Sequence, residues 1–210
     1  MKWTLDFLAL SPDALLALVI ATSFAAGLNV YATVATLGLL ARAGFVTLPP
    51  TLGLLDSWWV IGASGALFAI EFVADKVPAF DLIWNALQTF VRVPVGALLA
   101  YGASAQLGPG WQLVAAALGG AIAFVAHGGK TAVRAAVTAS PEPFSNAALS
   151  LGEDAFAIFL TWFATRHPFI AAGIVLVCLA VTIVLVRWII RALGALFRGA
   201  RGQLAAGRRA

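Results

Sequence analysis

Glu71, in the apolar run SGALFAIEFVADKVP, and Glu153, in NAALSLGEDAFAIFLTWF, are carboxylates set among residues that would otherwise suit lipid. Charge at such depth is costly and is usually turned toward a protein interior or a wet cavity that uses it. Helical spacing sorts the neighbouring polar residues onto stripes. Ser64, Glu71 and Asp75 share one face, and Asp81, Asn85, Gln88 and Arg92 follow one another by four, three and four residues. His127, Lys130 and Arg134 make a third stripe, and Asn146, Ser150, Glu153 and Asp154 a fourth. Facing one another at one depth, these stripes would enclose a polar cavity. Glu71 and Glu153 would exchange protons or coordinate a cation there, and they are also the candidate ligands if a metal binds. Arg92, whose planar guanidinium grips carboxylate or phosphate bidentately, would hold an anionic group or pair with the acids, with Lys130 and Arg134 beside it. His127 would either titrate near neutrality or hydrogen-bond local backbone, and Asn29 would serve as a polar contact. Mutual pairing of Glu71, Asp75, Asp81, Glu153 and Asp154 with Lys76, Arg92, Lys130 and Arg134 would explain how the charges are tolerated. It explains less well why they are present, because a buried ion pair adds little stability.

The elements that must position these residues follow from composition. With 62% hydrophobic and 10% charged residues among 210, the chain lies far outside the soluble range and reads as an all-α, polytopic membrane bundle. At about 20 residues per crossing, apolar blocks fall at 11–43, 57–77, 80–105, 111–138, 146–166 and 169–195, giving about six transmembrane helices in one domain, 1–195, with a basic tail at 196–210. Cys178 is the single cysteine, so no disulfide framework or thiolate cluster is expected. Asp6 and Asp13 interrupt the early apolar stretch, and hydrophobicity continues beyond any cleavage site, so the N-terminus is read as mature chain.

The first block is longer than the bilayer core, so it must tilt strongly, protrude or break, and a break near Gly27-Leu28-Asn29 is the preferred expectation. Ala126-His127-Gly128-Gly129 sits at the corresponding place in the fourth block and predicts a second break. FAAGLNVYATVA (24–35) against FVAHGGKTAVRA (124–135), and ALFAIE (66–71) against ALSLGE (148–153), suggest a duplicated unit with pseudo-repeats 11–105 and 111–195. If every block crosses, the halves form a three-plus-three inverted repeat of the kind common in transporters. If the broken helices are re-entrant hairpins, the halves are parallel and four helices cross. Counting Lys and Arg at the helix ends, with the N-terminus inside, leaves only Arg42 and Arg166 outside, which predicts both termini in the cytoplasm. Arg187, Arg191 and Arg198 lie near one helical face and suit anionic lipid.

GLNVY (27–31), EFVADKVPAFD (71–81), SPEPFSN (140–146) and GED (152–154), in this order among apolar helices, resemble the bacterial membrane proteins grouped as domain of unknown function 4126. The likeness covers about residues 10–170 and implies an integral membrane protein without implying a ligand. No HExxH, GxSxG, P-loop or CxxC pattern occurs. The expectation is therefore a small transporter or ion-conducting protein of the bacterial inner membrane, proton- or cation-coupled, rather than an enzyme, with no cofactor. Its partners would be the bilayer, a small ion or small-molecule substrate, and anionic lipid at the tail; nucleic acid is not expected, and a homo-oligomer is left open. Two alternatives remain: a lipid-handling protein whose Arg92, Lys130 and Arg134 bind a phosphorylated head group, and a non-catalytic membrane assembly factor.

Overall fold

The computed structural model describes residues 5–75, 78–138 and 143–207, with the side chains of 78–82, 135–138, 143–146, 193, 196–197 and 199–207 outside the description. Seven helices follow the six apolar blocks, because the first block is divided: α1 (Pro12–Leu28), α2 (Val30–Arg42), α3 (Trp58–Ala74), α4 (Pro78–Ala103), α5 (Pro109–Thr138), α6 (Pro143–Arg166) and α7 (Pro168–Gly207). Two residue pairs, β1 (Leu5–Asp6) and β2 (Val46–Thr47), form a short parallel ladder. Four helices are long and apolar enough to cross a membrane, within α4, α5, α6 and α7. A fifth span arises if α3 is joined to the 3-10 helix Pro50–Asp56, which meets it at 62°.

The helix at the centre is α1. Thirteen of its seventeen residues are buried, whereas only 17% of the most apolar stretch of α7 is. Small residues allow this. A Cβ added to Gly27 would lie 2.5 Å from the carbonyl oxygen of Ala123, and one added to Gly119 would lie 2.8 Å from that of Gly96. Helices α1, α4 and α5 thus approach backbone to backbone, as small residues permit within membranes. Around α1 pack α4, α5, α6 and α7.

The path of the first block differs from a crossing. Beginning beside the turn that joins α4 to α5, where Gln106 Nε2 donates to the Phe7 carbonyl, α1 runs parallel to α5: Ser23 abuts Gly119, Gly27 abuts Ala123, and the Leu28 carbonyl meets Lys130. At Asn29 the chain turns, and α2 returns alongside α3, with Gly38 against Ile61 and Arg42 Nη1 donating to the Asp56 carbonyl at 2.8 Å. A Schellman cap closes α2, with Gly44 at φ 73° and Phe45 N donating to the Leu40 carbonyl. Pairing of Leu5 with Val46 then brings both ends of the segment together. The block 11–43 is a helical hairpin with Asn29 at its tip. The apolar helices that traverse the bundle are α3 to α7.

Two expectations change as a result. Helix α5 is continuous through Ala126-His127-Gly128-Gly129, so the fourth block is unbroken. Its glycine serves packing instead: a Cβ on Gly129 would lie 2.3 Å from Thr182 Cγ2 of α7. Further, α1 and α5 run in the same direction, while an inverted repeat requires them to oppose. The all-α membrane bundle stands, but the helix directions do not fit three-plus-three inversion, and α2 has no counterpart in the second half. Among the described residues Leu5 lies at the Ser104 end of the bundle and the later part of α7 at the Asp75 end.

Candidate functional site

Asn29 creates the site by ending one helix and starting another. Its extended backbone (φ −150°, ψ 103°) interrupts the ladder, and its Oδ1 accepts from Ala32 N at 2.9 Å to cap α2. Helix α1 consequently ends inside the protein with free carbonyls and the negative end of its dipole. Bases from two other helices meet that end. Arg92 Nη1 of α4 donates to the Leu28 and Gly27 carbonyls at 2.7 and 3.1 Å, and Lys130 Nζ of α5 donates to Leu28 at 3.3 Å.

Carboxylates from α3 and α6 balance these bases. Glu71 Oε1 is bonded by Arg92 Nη2 and lies 3.6 Å from Lys130 Nζ. Lys130 also reaches Asp75 Oδ2 at 3.2 Å and Glu153 Oε2 at 3.4 Å, and so joins three acids. Arg134 Nη2 bridges Asp75 at 3.0 Å and Glu153 at 2.7 Å, and Ser150 Oγ donates to Asp75 Oδ2 at 3.2 Å. Asp154 stands next to this chain of pairs. Its Oδ1 accepts from Asn29 Nδ2 at 2.8 Å, its Oδ2 is buried with no hydrogen-bond partner, and it forms no ion pair among the described residues. Glu71 Oε2 and Arg92 Nε are likewise buried and unpartnered.

His127 is a neutral link. Arginine can only donate, so the 3.0 Å contact from Arg92 Nη1 requires Nδ1 to accept. The ring proton then sits on Nε2, which donates to the Asn85 carbonyl at 2.9 Å and lies 3.0 Å from Thr89 Oγ1. Of the two roles open to His127 in the sequence, these contacts fit hydrogen bonding to backbone, with the ring as a spacer that orients Arg92 against α4. Arg92 too is placed differently from an open anion clamp, since its terminal nitrogens are spent on the end of α1, His127 and Glu71. Nor do Glu71 and Glu153 flank a space for a metal, because the Lys130 ammonium lies between them.

Helices α3, α4, α5, α6 and the α1–α2 break therefore bring Asn29, Glu71, Asp75, Asn85, Arg92, His127, Lys130, Arg134, Glu153 and Asp154 together. The side chain of Asp81 and all of Lys76 lie outside the described residues, as does much of SPEPFSN (140–146). Helical spacing alone missed the Gly27 and Leu28 carbonyls and Tyr31, whose hydroxyl accepts from Gln88 Nε2 at 3.1 Å. Tyr31 carries a sequence signal only through its place in GLNVY.

The model of domain of unknown function 4126 matches residues 16–188. The chain belongs to that family. The match spans the hairpin, the four helices that carry the charges and most of α7. Neither the curated proteins nor the solved structures contain a significant match to this member of the family.

Within the cluster, among the described residues, the fixed charges do not cancel. Glu71, Asp75, Glu153 and Asp154 contribute four negative charges, and Arg92, Lys130 and Arg134 three positive ones. The three bases are consumed by Glu71, Asp75 and Glu153. Asp154 is left over, 2% exposed, with a single amide as partner. An ionised carboxylate so placed is costly, and one added positive charge would neutralise the whole network. What the arrangement can do chemically is hold one proton or one monovalent cation.

Proposed function

We propose that this protein is a small transporter that carries protons, alone or in exchange for a cation, with Asp154 as the group that gains and loses the charge. The observation that carries the reading is the buried Asp154 carboxyl, left without a base where three neighbouring acids each have one. Broken helices whose ends converge on charged groups are the usual device for ion and substrate sites in secondary transporters, and the tip of the α1–α2 hairpin supplies such ends here. The network also offers a relay, since Arg134 and Lys130 each touch two or more acids and can shift between them as the charge arrives. The head-group reading loses support because the guanidinium groups of Arg92 and Arg134 are fully buried among carboxylates and carbonyls. Purified protein in vesicles holding a trapped pH-sensitive dye should collapse an imposed proton gradient faster than protein-free vesicles, with or without added monovalent cation. Equal rates under every condition would end the proposal.

The same reading includes a bacterial inner-membrane location with the Asp75 end in the cytoplasm. Exposed Arg187, Arg191 and Arg198 extend α7 on that side, where basic residues are retained and meet anionic lipid. Arg42, stacked on Trp58 at 4.5 Å, and Arg166 mark the other side. With a re-entrant first segment the termini fall on opposite faces, in contrast to the sequence expectation of both inside. An N-terminal tag should be accessible to antibody in intact spheroplasts and a C-terminal tag only after lysis. Equal shielding of both would restore a crossing first segment.

A further inference from the structure

Among the described residues one part of the charge network reaches the surface, and the surface it reaches is apolar. The Glu153 side chain is 15% exposed, whereas those of Glu71, Asp75, Arg92, Lys130 and Arg134 are fully covered. Glu153 opens into a cavity of about 660 Å³ between α6 and α7, floored by Phe24 and Leu28 of α1 and walled by Gly152, Phe156, Cys178 and Thr182. A second, smaller space of about 150 Å³ between α5 and α7 shares Phe24, Leu28, Glu153 and Thr182 and adds Lys130. The two spaces flank α7 as neighbouring parts of one open recess, and of the network only the Glu153 side chain is exposed to it, the Lys130 ammonium lying covered behind. The recess is of the size that small-molecule ligands occupy, about 300–1,000 Å³, and combines apolar walls with a few polar groups in the usual way. An inorganic ion alone would gain nothing from such walls.

We infer that this recess binds a hydrophobic organic cation that enters from the bilayer between α6 and α7 and sets its charge against Glu153. The inference rests on the transport reading and specifies its substrate class. Two observations fix the sign. The accessible charged group is a carboxylate, and the four-acid, three-base network behind it lacks one positive charge. A cation seated at Glu153 supplies that charge and releases Arg134 and Lys130 to lean toward Asp75 and Asp154. An anion of the same shape would meet Glu153 first and raise the imbalance from one negative charge to two. The apolar body would lie on Phe24, Leu28 and Phe156, surroundings as apolar as the acyl chains it leaves, so the charge at Glu153 decides the binding.

Tetraphenylphosphonium and tetraphenylborate have nearly the same shape and opposite charge, which makes them matched probes. Equilibrium dialysis against protein-bearing and empty nanodiscs, one ion at a time, should show saturable excess binding of tetraphenylphosphonium and none of tetraphenylborate. Glu153→Gln should weaken binding at least tenfold. Because that change also leaves Arg134 short of a partner, Gly152→Phe provides a second variant that keeps every charge. A Cβ at Gly152 meets nothing within 4 Å and Gly152 lines the recess, so the ring is accommodated at its wall and should abolish saturable binding in a folded protein. Preference for tetraphenylborate, absence of saturable binding of either ion, or undiminished binding in Gly152→Phe would each overturn the inference. Proton flux in the wild type together with no saturable cation binding would remove this substrate class alone. Cation binding without flux would retain the recess and remove the transport reading.

Discussion

Replacing Lys130 with methionine is expected to destabilise the protein by about 3–5 kcal/mol, the usual cost of removing one partner from a buried ion pair. Methionine matches the stem of lysine in length, so the loss falls on the ammonium rather than on packing. That ammonium lies within 3.6 Å of Glu71, Asp75 and Glu153 and also takes up the Leu28 carbonyl at the end of α1. Without it the described cluster holds two bases against four acids. Adding Asp75→Asn to Lys130→Met returns the cluster to one excess acid, and this double variant should recover a substantial part of the loss. The check is unfolding of the purified protein in mixed micelles by increasing sodium dodecyl sulfate. A Lys130→Met midpoint indistinguishable from wild type would show that the acids are solvated and the network is not a closed unit.

Arg92→Met is expected to cost at least as much, with the damage centred on the hairpin tip. Arg92 is the tie between the hairpin and the bundle: it holds the Gly27 and Leu28 carbonyls, the neutral His127 and the Glu71 carboxylate. Its loss removes the base from the Gly27 carbonyl and leaves the Leu28 carbonyl and the Glu71 carboxylate to Lys130 alone, and a buried carbonyl without a partner costs about 1–3 kcal/mol. Glu71→Gln on the Arg92→Met background removes the stranded charge but leaves the carbonyls, so rescue should be partial. Hydrogen exchange should localise the damage. Amides of residues 23–33 should lose protection in Arg92→Met while those in the α5 segment 112–122 keep it. Uniform loss of protection throughout the bundle, or none, would contradict a tie confined to the hairpin tip.

The stripes of the candidate site were legible because helical periodicity decides which residues share a face, and the costly placement of Glu71 and Glu153 decides that those faces turn inward. The break at Asn29 was legible for a similar reason: a block of 33 residues must tilt, protrude or break, and Asn in GLN can cap a helix with its own side chain. What the sequence could not decide is whether the chain continues or turns back after Asn29. Few basic residues flank that segment, Lys2 before it and Arg42 at its end, so moving the N-terminus to the other face barely alters the count of basic residues. The false second break has a different cause. Gly128-Gly129 looks like a helix interruption, yet Gly129 is needed because Thr182 packs onto its backbone, and a glycine required for close approach carries the same letter as one required for a turn. The odd acid was hidden as well. Sequence spacing placed Glu153 and Asp154 together, and only the geometry gives Glu153 two bases and Asp154 an amide.

The account depends on Asp154 being the member of the cluster that takes up the missing charge. Asp154→Asn is close to isosteric, can still accept from Asn29 Nδ2 through its carbonyl oxygen, and removes only the charge, so the fold should persist. Asp13, exposed in the first turn of α1, provides a matched control as Asp13→Asn. Proton flux into dye-loaded vesicles, measured side by side at equal protein incorporation, is predicted to be unchanged in Asp13→Asn and to fall at least tenfold in Asp154→Asn. Wild-type flux in Asp154→Asn would contradict the account.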